Sequence, residues 1–172
     1  MHGTYAEAEG RQALRFERRL AHPVDVVWRA ITEPGELAHW FPSAVTIDLR
    51  VGGAMRFEFE GHDLPAMTGE VTELDPPRRL AFLWGDELLR FELEPADGGA
   101  ATLLRFTHEL SERDTAARNA AGWHVCLDRL AGHLDGGDDA APGAEPTPEW
   151  SALYDEYQAR GVPAGAPIPG RG

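Results

Sequence analysis

The sequence predicts an α+β fold: a curved antiparallel sheet of about seven strands wrapped on a long carboxyl-terminal helix, with two short helices after the first strand. Three observations carry this. Segments between residues 12 and 108 alternate apolar and polar side chains with a period of two, as half-buried antiparallel strands do. Turn formers separate those segments at Gly52-Gly53, Asp75-Pro76-Pro77, Gly85-Asp86 and Asp97-Gly98-Gly99. Finally, turning each residue of Ser111–Gly136 by about 100° around a helix axis gathers Ala116, Ala117, Ala120, Trp123, His124, Leu127, Leu130, Ala131 and Leu134 on one stripe. That stripe has to cover something, and a helix laid across a curved sheet leaves room for a small apolar ligand.

Residues 1–10 are small and polar and are expected to be loosely ordered. The first strand, Gln12–Leu20, sets Leu14, Phe16 and Arg18 against Arg15, Glu17 and Arg19, and its arginines suggest an edge or rim. His22-Pro23-Val24-Asp25 opens a short helix with proline just inside its start, and Val24, Val27, Trp28 and Ile31 form its apolar side. A second short helix covers Gly35–Trp40 and stops before Pro42. Six strands follow. Val45–Val51 and Met55–Phe59 form a hairpin about Gly52-Gly53, and Met67–Val71, Leu80–Trp84, Leu89–Leu93 and Leu103–His108 complete the set. Ser111 with Asp114 reads as a capping box for the long helix, and Gly136-Gly137 as its stop. Residues 137–147 read as a linker, 148–160 as a further helix capped by Thr147, and 161–172 as a loose tail. The Trp150, Leu153, Tyr154, Tyr157 stripe of that helix suits docking onto residues 11–136, closing a pocket, or a homodimer contact.

At 172 residues and 42% hydrophobic, the chain is sized for a single domain with tails. Its charge of −13 repels phosphate backbones and anionic headgroups, so neither nucleic acid nor a membrane surface is an expected partner. All sixteen basic residues are arginine, and without lysine there is no Schiff-base chemistry and no P-loop. A lone cysteine, Cys126, and no apolar run of membrane or signal length suggest a cytoplasmic protein.

Several stretches, namely His22–Trp28, Leu37–Pro42, the Gly52-Gly53 hairpin, Leu103–Leu110 and Gly122–Leu130, resemble the START-like (SRPBCC, helix-grip) superfamily. Within it they are most similar to the group of activator of heat-shock protein 90 ATPase homologues. The similarity spans roughly Leu14–Leu134 and the Trp150–Tyr157 helix. It implies a helix-grip fold with a cavity between sheet and long helix that takes sterols, lipids, hormones, polyketides or aromatic metabolites, some branches cyclising or hydrolysing them. It does not imply chaperone activation. The eukaryotic co-chaperone uses a separate amino-terminal domain and a lysine-containing motif, and this lysine-free sequence resembles only the other domain.

On such a fold the inward faces bring together Trp40, Phe41, Met55, Phe57, Phe59, Trp84, Phe91, Phe106 and Trp123, with Trp28 adjoining. These side chains suit either the wall of a ligand cavity or a filled core, and inward polar residues discriminate better than further rings. His108 and His124 are those residues. Meeting near a ligand, they would orient a carbonyl or move a proton; apart, each is a core histidine bonded to backbone or water. His39 and the His62-Asp63 pair read as solvated loop residues. No histidine has metal-ligand spacing, no cofactor motif is present, and Glu58, Glu60, Glu92 and Glu94 fall on the outward phase, which disfavours a paired-carboxylate mechanism. Cys126 reads as an apolar filler. The expected function is binding of a small hydrophobic or aromatic molecule without catalysis. The alternatives are a cyclase or hydrolase of polyketide-like or aromatic metabolites using His108 or His124 as acid or base, and a protein-interaction module, as chaperone partner or homodimer.

Overall fold

The structure is a computed structural model that describes residues 1–61, 63–138, 140–143 and 146–168; His62 lies outside the described residues, as do positions 139, 144, 145 and 169–172. Eight strands form a single antiparallel sheet in the order β1-β2-β8-β7-β6-β5-β4-β3. They are β1 (Thr4–Ala8), β2 (Arg11–Leu20), β3 (Ala44–Ile47), β4 (Ala54–Glu58), β5 (Met67–Asp75), β6 (Arg79–Trp84), β7 (Glu87–Ala96) and β8 (Ala101–Leu110). Helices α1 (Val24–Thr32) and α2 (Pro34–Leu37) connect β2 to β3, α3 (Ala116–Leu134) is gripped by the sheet, and α4 (Pro148–Ala159) docks on α3.

The sheet has one strand more than the sequence predicted. Residues expected to be loose form β1, pairing with β2 from Thr4↔Arg15 to Ala8↔Arg11, so β2 is an interior strand and not an edge. The hairpin at Gly52-Gly53 is also looser than predicted. Strand β3 ends at Ile47, and Leu49 and Val51 stand exposed in the connection. A bulge between Val71 and Glu73 adds the local bend that antiparallel sheets use to curve.

The long helix starts later than its sequence suggested. Ser111 does not cap it: its N–H and hydroxyl both donate to Glu87 Oε1, at 2.9 and 2.8 Å, and a 3₁₀ turn at Arg113–Thr115 leads into α3. The predicted stripe is buried from Ala116 to Leu130, and Ala121, Val125 and Cys126 on the neighbouring flank are buried as well. The second flank is covered because α4 returns along α3, burying Tyr154 and Tyr157, with Trp150 and Leu153 packed on the same core. Thr147 Oγ1 accepts from Trp150 N at 3.1 Å and fixes the start of α4. Part of the expected tail is likewise in place: Ala117 N donates to Pro163 O, and Ala166 N to Asp114 O.

Candidate functional site

The inward rows of the sheet stack their rings in register. Phe16, Phe106 and Phe91 lie opposite one another across β2, β8 and β7, and the chain of contacts continues through Phe82, Phe57 and Trp84 with centroid separations of 4.6–6.1 Å. Trp40 and Phe41, delivered by the turn after α2, close over this row, and Trp40 Nε1 is satisfied by Ala30 O at 2.9 Å. Trp40, Phe41, Phe57, Phe91 and Phe106 are at most 1% exposed, and Met55 is buried beside them. Each such ring contributes about 2–3 kcal/mol of burial. At this level the rings are packed against one another and shielded from solvent.

Open volume lies on the flank of α3. A cavity of about 410 Å³ is bounded by Trp84 and Pro42, by Gly122, Trp123, Val125 and Cys126 of α3, by residues 140–143, and by Trp150 of α4. Arg118, Asn119, Arg129, Thr147 and Glu149 supply its polar lining. Of the predicted residues, Trp84 and Trp123 face this space, and Phe59 packs edge-on against Trp84 at 6.1 Å. A larger hollow on the outer face of β1, β2, β7 and β8 is floored by arginines and glutamates, among them the Arg105–Glu17 and Arg90–Glu109 pairs; its polar floor suits water better than an apolar ligand.

Behind the cavity wall runs a polar chain. Trp123 Nε1, which can only donate, points to His108 Nδ1 at 2.9 Å; His108 Nε2 is 2.5 Å from Glu87 Oε2. Nδ1 is therefore the acceptor and Nε2 carries the proton, so His108 is a neutral ring with both nitrogens engaged. Burial disfavours the ionised Glu87 carboxylate, but the hydrogen bonds from His108 and Ser111 outweigh it and bring the group from 4.5 down to about 2. The chain holds the Trp123 indole in one orientation.

His124 sits in a different cluster. Its Nδ1 is 2.9 Å from Tyr157 Oη, its Nε2 is 3.5 Å from Asp128, and the His2 ring lies edge-on at 5.1 Å. Gly3 N donates to the same Tyr157 oxygen at 2.8 Å. Burial lowers the His124 pKa, with Arg18 and His2 adding to the effect and Asp128 opposing it. His108 and His124 thus have separate hydrogen-bond partners.

A comparison with known families matches residues 21–135 to the one described as activator of Hsp90 ATPase homolog 1-like protein. The chain belongs to that family. No curated protein matches it. Among solved structures it is similar to CalU16 from Micromonospora echinospora in solution (25% identity over 91% of this chain and 88% of that one, TM-score 0.72). It shares its fold with EF2215 from Enterococcus faecalis, a conserved protein of unknown function (24%, 92% and 89%, TM-score 0.72). It also resembles DynU16, a protein in the dynemicin biosynthetic locus, at 26% identity over 76% of this chain and half of that one, with a TM-score of 0.65.

Within this Hsp90-activator-homologue-like chain, the residue that sequence reasoning missed is Glu87. A signal for it exists: Leu89, Phe91 and Leu93 are buried, and extending their phase by two positions lands on Glu87, diagonal to His108 across β7 and β8. Cys126 is buried against the cavity and burial pushes its thiol pKa far up, which keeps it protonated and unreactive. Among the described residues no His, Cys, Asp and Glu cluster is arranged to hold a metal, and no helix is long and apolar enough to cross a membrane.

Proposed function

We propose that this protein binds a small planar hydrophobic molecule in the cavity on the flank of α3, without transforming it. The observation that carries the reading is the convergence of Trp84, Trp123 and Trp150 on about 410 Å³ of space, within the roughly 300–1,000 Å³ usual for small-molecule sites. Indole faces offer large, stiff contact area to flat ligands. Binding is favoured over catalysis because His108 spends both ring nitrogens on Trp123 and Glu87. A metabolite is favoured over a protein partner for two reasons. The apolar stripe of α4 is spent on α3, and a family relative, DynU16, is described as a protein in a biosynthetic locus.

Native mass spectrometry against a panel of planar aromatic compounds tests this. One-to-one adducts are expected with the wild type, weakened at least about tenfold by Trp84→Ala or Trp150→Ala. Hits bound equally by wild type and both folded variants, or no hits at all, overturn the assignment.

A further inference from the structure

We infer that the cavity selects planar aromatic molecules bearing a negative charge, with Arg118 as the counter-charge and an aryl carboxylate as the simplest such ligand; this rests on the binding reading above. The polar lining divides into spent and unspent groups. Arg129 Nη2 pairs with Glu149 Oε2 at 3.2 Å, and Thr147 is occupied as the cap of α4. Arg118 donates to Pro167 O at 2.6 Å and has no carboxylate partner among the described residues, and Asn119 makes no side-chain hydrogen bond to any of them.

Among the described residues the lining holds two arginines and one glutamate, in a chain whose net charge is −13. Such a contrast needs an explanation. Arg118 is partly buried on the same cavity lining as the three tryptophans, where an anion meets its charge with less screening than in bulk water. The Pro167 carbonyl steadies the guanidinium plane, and that plane matches the two oxygens of a carboxylate. Asn119 adds an amide donor on the same wall. A neutral sterol or acyl chain gains nothing from Arg118, and an inorganic anion gains nothing from three indoles; an anionic aromatic uses both.

Isothermal titration calorimetry of the full chain with 2-naphthoate and its neutral isostere 2-naphthamide tests the inference. The expected result is naphthoate binding about tenfold more tightly than the amide, with Arg118→Gln abolishing that difference. Binding of naphthamide as tightly as naphthoate, or a preference for the acid that survives Arg118→Gln, overturns the charge selection and leaves the cavity reading standing. Failure of the wild type to bind either compound counts against both.

Discussion

Replacing Glu87 with glutamine keeps the shape of the side chain and removes one acceptor from a chain of bonds that has none to spare. Glu87 accepts two hydrogen bonds from Ser111 at Oε1 and one from His108 at Oε2, and His108 in turn accepts from Trp123. With the amide oxygen toward Ser111, the amide N–H₂ confronts His108 Nε2–H; moving the ring proton to Nδ1 sets it against Trp123 Nε1–H. With the amide flipped, the same N–H₂ confronts the Ser111 backbone N–H, although the hydroxyl can turn to accept from it. Every arrangement sets donor against donor at a largely buried site, which costs about 1–3 kcal/mol. Linkage gives an independent figure. A carboxyl lowered from 4.5 to about 2 corresponds to at most about 3.4 kcal/mol at 1.36 kcal/mol per pH unit. Partial solvent screening and the neutrality of His108 reduce that by about half. Both routes converge on roughly 2 kcal/mol, a fall in Tm of about 4–8 °C for a chain of this size.

The pH dependence has a definite sign. Because the folded state lowers the Glu87 pKa, its stabilisation is complete above about 4.5 and is lost as pH falls from there through about 2. Urea unfolding of wild type and Glu87→Gln at several pH values is the assay. The gap between them should be about 2 kcal/mol near pH 7 and shrink below about pH 4.5. A gap under about 0.5 kcal/mol at neutral pH, or one that does not change with acidification, refutes the reasoning.

Tyr157→Phe removes the oxygen shared by Gly3 N and His124 Nδ1. It should cost about 1–3 kcal/mol and speed hydrogen exchange in β1, and unaltered exchange there would sever the proposed tie between α4 and the amino-terminal strand. Gly69→Ala sets a Cβ 2.0 Å from the Leu83 carbonyl oxygen and 2.9 Å from the Phe57 ring. Because the nearer obstacle is backbone, denaturation should register a loss of about 3 kcal/mol, and a variant within about 1 kcal/mol of wild type would mean the strands part more easily than the bonding suggests.

What the sequence made legible was whatever repeats along the chain. The alternation of Leu80, Phe82 and Trp84 or of Leu104, Phe106 and His108, and the helical spacing from Ala116 to Leu130, gave the sheet, the helix and the rings between them. Features decided by distant partners were not visible. Thr4–Ala8 is short and polar, and it becomes a strand because β2 offers it a free edge. Ser111 matched a capping pattern, yet Glu87, far back in the chain, claims both its donors. The inward aromatics were found, but whether they line space or fill it depends on how Trp40 and Phe41 close over the sheet, and this no period encodes. The cavity owes its position to α4 and the segment before it, whose docking follows from tertiary contacts.

The strand order bears on how the chain reaches this state during synthesis. From β3 to β8 each strand pairs with the next, so every pairing in this meander is local in sequence and closes only a short loop. The β1–β2 hairpin, made first, joins the sheet only through β8, with Phe16 waiting for Phe106. Its last tie, Gly3 to Tyr157, waits for α4. Such long-range closure is the slow part of folding. Two elements far apart in sequence, β1 and α4, therefore hold each other, and loosening either should loosen the other.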